Sequence, residues 1–306
     1  MEIRVIGRGA LAGFIAGILG FVFARIFAEP LIDKAIDYES GRGEVLDKLN
    51  QAVGRTTEAE GPEIFSRHVQ STVGLASGVI GFATAMGALV AVVYLVLHGR
   101  FNVRPRTLVW QISGFGLLGV YVLPFVKYPA NPPAIGHDFT VGDRGRLYLI
   151  TVAGSLILLG LAVYAARRLT QRFSLLQSIL LAGVGFFVFY GLLIGLLPSL
   201  GHLSANVDHA NQFGFARSAT ETPQPIVNIM DQTISFDGQS FAPGQLVYPG
   251  FDADLLWKFR WYSLLNQIIV WGGVAVIFGT LVERFINGPT VKADALVKPA
   301  ESAAIG

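Results

Sequence analysis

Six long apolar runs, parted by segments of very different polarity, set the pattern of this 306-residue chain. They lie near Val5 to Ala28, Val69 to Leu97, Thr107 to Val126, Leu147 to Ala166, Leu175 to Leu197 and Trp257 to Val282. About 20 apolar residues rising about 1.5 Å each cover a hydrocarbon core of about 30 Å as a helix, so each run predicts a membrane span. The predicted fold class is an all-α integral membrane protein. Its six transmembrane helices form three hairpins with long extracytoplasmic loops at 29–68, 127–146 and 198–256. A single polytopic membrane domain over 1–286 precedes a tail, 287–306, that reads as disordered and cytoplasmic. Basic residues ahead of the first run also fit a signal peptide. The run is long and Gly-punctuated, however, and the cleavage pattern around Phe27 and Ala28 is poor, so it reads as a retained span.

Polarity between the spans gives the orientation. The chain is 52% hydrophobic and 14% charged, far from the balance of a soluble domain. Its formal charge of +2 conceals a strong asymmetry. The termini and the two short turns hold Arg4, Arg8, Arg100, Arg104, Arg106, Arg167, Arg168, Arg172, Arg284, Lys292 and Lys298, eleven bases against four acids, or +7. The three long loops, with Lys258 and Arg260 at the entry to the last helix, hold seventeen acids against eleven bases, or −6, and Arg25 in the first span makes up the total. Lys and Arg gather on the cytoplasmic side of short loops, so both termini are expected inside and the acidic loops outside, where they attract cations. The absence of cysteine leaves no thiolate for soft metals.

Loop one opens with Glu29-Pro30 and an amphipathic stretch to Glu39, which predicts a continuing or restarting helix. Loop two carries Tyr128-Pro129-Ala130-Asn131-Pro132-Pro133, an extended and stiff connection. Loop three is the longest, and Gln232 to Phe236 is its best strand signal. Gly9, Gly13 and Gly17, Gly74 with Gly78, and Gly191 with Gly195 recur every four residues, a spacing that lets helix backbones pack closely in lipid.

Motifs exclude several classes. There is no phosphate loop, no serine elbow and no His-Glu-x-x-His helix, so neither ATP hydrolysis by that route nor hydrolase chemistry is expected, and the chain reads as a non-enzyme. Gly114-Phe115-Gly116-Leu117-Leu118-Gly119 with Asp138 further on fits the dinucleotide pattern. It lies in an apolar span with no strand before it, so it is set aside. No cofactor and no nucleic-acid partner are predicted.

Carboxylates and imidazoles on the outer side remain. Glu29, Asp33 and Asp37 share one helical face, able to pass a divalent cation toward the bundle or simply to be solvated. His68, His137, His202 and His209 fall on the same side, with Asp208 beside His209; imidazole with carboxylate suits borderline ions such as cobalt, nickel and zinc. The candidate metal ligands are Glu29, Asp33, Asp37, His68, His202 and His209. Arg67, His68, Gln70 and Thr72 crowd the mouth of the second span. Asn266 and Gln267 lie about 15 Å along the last helix from Trp257, so Gln70, Asn266 and Gln267 are candidate pathway residues, or else hydrogen-bonding groups between helices.

Several strings resemble the CbtA family of predicted cobalt transporter subunits in bacteria. They are Glu29-Pro30 with Ile32-Asp33 through Glu39, then Ser66-Arg67-His68-Val69-Gln70, then Phe125 to Gly136 with its Lys-Tyr-Pro-x-Asn-Pro-Pro core. Asp254 to Arg260, Phe278-Gly279 and Glu283-Arg284 complete the series in order along the chain. The resemblance implies a subunit of a divalent transition-metal uptake transporter in the bacterial inner membrane, with cobalt(II) as the transported ion and cobalamin synthesis as its destination. It also implies a small single-span partner with a histidine-rich tail. The alternative is a non-transporting scaffold or sensor whose outer loops bind a partner protein. With no ATP motif, the membrane potential suffices in principle, since a dication moving inward gains about 4.6 kcal/mol per 100 mV.

Overall fold

The computed structural model describes residues 2–52, 54, 65–209, 221–228, 230–236 and 238–286. The expected disorder of 287–306 lies outside them. The chain is predominantly helical. Among the described residues six helical runs are long and apolar enough to cross a membrane: Glu2–Gln51, Arg67–Leu97, Pro105–Lys127, Asp138–Leu169, Leu175–Val207 and Ala253–Phe285. They contain the predicted spans, and most extend past them because polar helix is added at one end. The helix expected to continue into loop one runs as α2 (Glu29–Ala52) directly after α1 (Glu2–Phe23), through a π-helical segment, Ala24–Ala28. The second run comprises α3 (Arg67–Val69), π-helical Gln70–Gly74 and α4 (Leu75–Leu97). The third comprises α5 (Pro105–Gly116), π-helical Leu117–Val122 and α6 (Leu123–Lys127). Then come α7 (Val141–Leu169), α8 (Leu175–Leu196), α9 (Ser204–His209) and, after four short strands, α10 (Ala253–Ile286).

Two compact units form. One contains residues up to Ala24, His68–Leu118 and those from Leu265 onward. Lipid supplies no hydrophobic drive between helices, so close backbone approach has to hold them, and the glycines of α1 provide it. A Cβ on Gly13 would sit 2.2 Å from the Ala83 carbonyl oxygen, and one on Gly9 would sit 2.4 Å from that of Gly87. On α10, Val270, Val274, Phe278 and Val282 recur every four residues as one buried stripe, with Tyr94 edge-on to Phe278 at 5.9 Å. Two glycines of the dinucleotide-like string turn out to be packing residues. Gly116 leaves room for the Trp271 ring, and Gly119, in the other unit, leaves room for Leu156. The pairs Gly74 with Gly78 and Gly191 with Gly195 have the same spacing, yet an added Cβ would meet nothing within 4 Å at Gly78, Gly191 or Gly195.

The other unit, Arg25–Arg67 with Gly119–Leu264, holds the α7–α8 pair and the polar connections. Ser174 caps α8: its hydroxyl accepts from the Gln177 amide at 3.3 Å, while Gln177 accepts from the Ser174 amide at 3.1 Å. Pro124 has no N–H to give back along its helix. The Tyr148 hydroxyl takes up the free capacity of the Val120 carbonyl at 3.0 Å, and Tyr190 donates to the Leu123 carbonyl.

The proline-rich string from Lys127 to Gly136 is fixed residue by residue. Tyr128 is buried with Leu147 and Leu203 and donates to the Pro198 carbonyl at 2.8 Å. Asn131 accepts from Arg260 Nη2 at 2.9 Å. Gly136 has φ +95°, and a side chain there would run into the Arg144 guanidinium. The buried carboxylate of Glu221 then binds this string to the first half of loop three. It accepts from Asn206 Nδ2 at 2.9 Å and from the His137 amide at 3.1 Å, with the Thr140 hydroxyl at 3.3 Å. Glu221→Ala removes the acceptor shared by Asn206, His137 and Thr140 and is expected to lower stability by about 2–4 kcal/mol, with Glu221→Gln milder. The urea midpoint of the purified chain measures both.

Loop three carries more order than its composition suggests. Strands β1 (Ile226–Val227) and β4 (Leu246–Tyr248) pair antiparallel, as do β2 (Ile234–Phe236) and β3 (Gln239–Phe241). They close with the C-terminal half of α2 over a core of Leu49, Ile226, Ile234 and Phe241, flanked by Val45, Leu46 and Tyr248. Asn228 satisfies its own burial by donating to the Phe241 and Gln232 carbonyls and accepting from the Met230 amide. Gly41 gives the Tyr248 hydroxyl its space, and burial pushes that hydroxyl above the ordinary tyrosine range against the opposing pull of Arg42.

Candidate functional site

Four residues per step bring Glu29 and Asp33 onto one face of α2, as the sequence predicts. Their environments differ sharply. Glu29, at the first position of the helix, is 1% exposed, while Asp33 and Asp37 face outward. A carboxylate this buried needs a cation or several donors, and Arg67, at the start of α3, supplies both. Its Nη2 donates to the Glu29 carboxylate and to Asp33 Oδ1 at 2.8 Å, and its Nε donates to the same Asp33 oxygen at 3.1 Å. The Arg67 side chain keeps 32% of its surface in contact with solvent. The formal charges of the trio sum to one negative, with one carboxylate inside, one at the surface and a guanidinium that is a third exposed.

The other predicted ligands stand apart from this trio or beyond description. His68 is exposed, and its carbonyl accepts from the hydroxyls of Ser71 and Thr72. Gln70 begins the π-helical segment. His202 is exposed in a 3₁₀ turn, Leu200–His202. The side chain of His209 at the end of α9 lies outside the described residues. Among the described residues no three His, Cys, Asp or Glu groups converge as a metal cage. The helical spacing revealed the carboxylate face but not its counter-ion, which lies 34 positions beyond Asp33. The available signal was Arg67 itself, a charge at the mouth of an apolar run.

A second polar feature lies in the unit containing α1, α4 and α10. Asn266 and Gln267, near the middle of α10, line a cleft of about 320 Å³ beside Gly74, Gly78 and Phe82. Asn266 Oδ1 and Gln267 Oε1 are buried and have no hydrogen-bond partner. A Cβ on Gly20 of α1 would come within 3.0 Å of Asn266 Oδ1. At about 30 Å³ per molecule the space equals about ten waters.

A family model described as "Probable cobalt transporter subunit (CbtA)" matches residues 2–283. No curated protein and no solved structure matches the chain.

Proposed function

The chain belongs to the CbtA family of probable cobalt transporter subunits, and on that premise we propose that it is the membrane subunit of a divalent transition-metal uptake system with cobalt(II) as its cargo. One observation carries the reading: Glu29 is a fully buried carboxylate held, together with Asp33, by a cation that has one side in water. A dication reaching the pair brings two positive charges against the one of the guanidinium. Arg67 turns to solvent, and the three charges, the metal's counted once, sum to zero where the resting trio has −1. Asp37, one turn further along α2, draws the ion in. His68, next to Arg67 in sequence, and His202 and His209 in loop three offer imidazole, a donor that suits cobalt(II) better than calcium or magnesium.

In this reading the three hairpins put the acidic loops outside and both termini in the bacterial cytoplasm, and a small single-span, histidine-rich protein is the companion subunit. Inward movement down the membrane potential is worth about 4.6 kcal/mol per 100 mV for a dication, which needs no phosphate-loop ATPase in this chain. A scaffold or sensor role is favoured by one feature, the lobe of α2 and four strands with its own core, a surface suited to a protein partner.

Cobalt(II) titration of the purified full-length chain in nanodiscs tests the ligands. Glu29→Gln with Asp33→Asn is expected to weaken binding at least tenfold, about 1.4 kcal/mol; equal affinity in the variant removes the pair from the mechanism. The chain has no native cysteine, so single cysteines at positions 33 and 202 report their side cleanly. Both are expected to react with an impermeant maleimide on intact cells, and protection of both reverses the direction of transport.

A further inference from the structure

Four helix ends meet at one end of the unit that contains α1, α4, α5 and the later part of α10. Gly9, near the start of α1, packs against Gly87 and Ala91 near the end of α4. Gly279, near the end of α10, packs against Arg106 and Trp110 at the start of α5, and Arg8 lies over the Phe285 ring at 4.0 Å. These ends and the turn from α4 to α5 carry Arg4, Arg8, Arg100, Arg104, Arg106 and Arg284 against Glu2 and Glu283, six bases against two acids, or +4. Arg8 is engaged within the unit, since its guanidinium also donates to the Arg4 carbonyl at 2.9 Å. The other five bases are exposed, and among the described residues none of them has an ion pair.

Apolar side chains follow within two turns of these charges. Residues four or seven apart share a helix face, so Trp110, 46% exposed, lies on the face of Arg106, and Leu11, 51% exposed, on that of Arg4. Val96, in the last turn of α4 ahead of Arg100, is 54% exposed. All three belong to runs long and apolar enough to cross a membrane, and an exposed Trp beside the bases is the usual anchor at the membrane surface. An occupant that satisfies both groups is negative at one end and hydrocarbon at the other. Guanidinium groups match phosphate oxygens two at a time, and bases clustered beside a spanning helix recognise anionic head groups. An acidic peptide would answer the charges and leave Trp110 and Leu11 bare.

We propose that this end of the unit selects anionic phospholipids, with their phosphates at Arg4, Arg100, Arg104, Arg106 and Arg284 and their acyl chains along Leu11, Val96 and Trp110. The site is independent of which ion the chain carries.

Trp110 reports on it directly. In the full-length chain with Trp257→Phe and Trp261→Phe, both at exposed positions, Trp110 is the exposed indole that remains, Trp271 being 3% exposed. This chain is reconstituted in phosphatidylcholine vesicles with rising fractions of brominated phosphatidylglycerol, or of brominated phosphatidylcholine as the reference, and indole quenching is read. The anionic lipid is expected to bind at least tenfold more tightly than the zwitterionic one, with the preference falling as salt rises. Arg104→Gln with Arg284→Gln should cut that preference at least fivefold. Arg25→Gln with Lys258→Gln, two charges beyond the opposite ends of α1 and α10, should leave it unchanged. Excess inorganic phosphate at constant ionic strength should not displace the lipid. Equal quenching by the two lipids overturns the proposal whatever the variants do, and leaves the bases to an acidic partner protein. Displacement by phosphate overturns it in favour of a soluble anion. A preference that survives Arg104→Gln with Arg284→Gln, or falls as far in Arg25→Gln with Lys258→Gln, also overturns it.

Discussion

Arg67→Ala is expected to destabilise the purified chain by about 3 kcal/mol, among the largest effects of any single polar substitution. The Glu29 carboxylate, 1% exposed, is ion-paired with this guanidinium. Removing one partner of a buried pair leaves an uncompensated charge and costs about 3–5 kcal/mol. The value expected here is at the lower end because Arg67 is about a third exposed and water can follow the vacated space. Glu29→Gln combined with Arg67→Ala should recover most of the loss, since a neutral amide has no charge to leave stranded. Unfolding midpoints for the two single variants and the double variant, arranged as a cycle, measure the coupling. A cycle that closes with no coupling shows the two residues to be independent.

Gly13→Leu should be more damaging still to assembly. The Cβ alone would meet backbone on the facing helix at 2.2 Å and 2.9 Å, from the Ala83 carbonyl oxygen and the Thr84 Cα. Backbone cannot rotate away as a side chain can, so α1 and α4 must separate along their whole contact, the most extensive between two elements among the described residues. Overpacking of a well-fitted core costs about 1–3 kcal/mol per site, and separation of two helices in lipid adds the lost dispersion contacts of their neighbours. Gly7→Leu is the control, on the same helix with nothing within 4 Å of the added atom. The yield of monodisperse protein from detergent extracts is expected to collapse for Gly13→Leu and to stay near wild type for Gly7→Leu. Equal yields would mean that the glycine face is not what joins these helices.

Hydrophobic length made the six helices legible because bilayer thickness and helical rise leave little freedom. The four-residue spacing of Gly9, Gly13 and Gly17 was equally readable, though spacing alone could not separate that face from Gly191 and Gly195, where an added Cβ would meet nothing within 4 Å among the described residues. Close approach is a property of two helices, and the sequence of one does not contain it. Asp33 beside Glu29 followed from helical geometry, while the burial of Glu29 and its pairing with Arg67 are tertiary facts across a long loop. Loop three was the least legible part. Its strands have two or three residues each, too short for an alternation to stand out, and they gain stability from Val45, Leu46 and Leu49 of a helix far away in sequence. Glu221 shows the same limit. It is one acid among many in the long loops until the structure brings His137, Thr140 and Asn206 around it.

Radioactive cobalt uptake by metal-starved vesicles carrying the wild-type chain, or the chain with Glu29→Gln and Asp33→Asn at equal protein level, bears most directly on the account as a whole. Wild-type vesicles with an inside-negative potential are expected to accumulate cobalt, and the double variant to do so at least tenfold more slowly. Equal accumulation by both, or none above empty vesicles for the wild type supplied with its companion subunit, contradicts a transporter that receives its metal at Glu29 and Asp33.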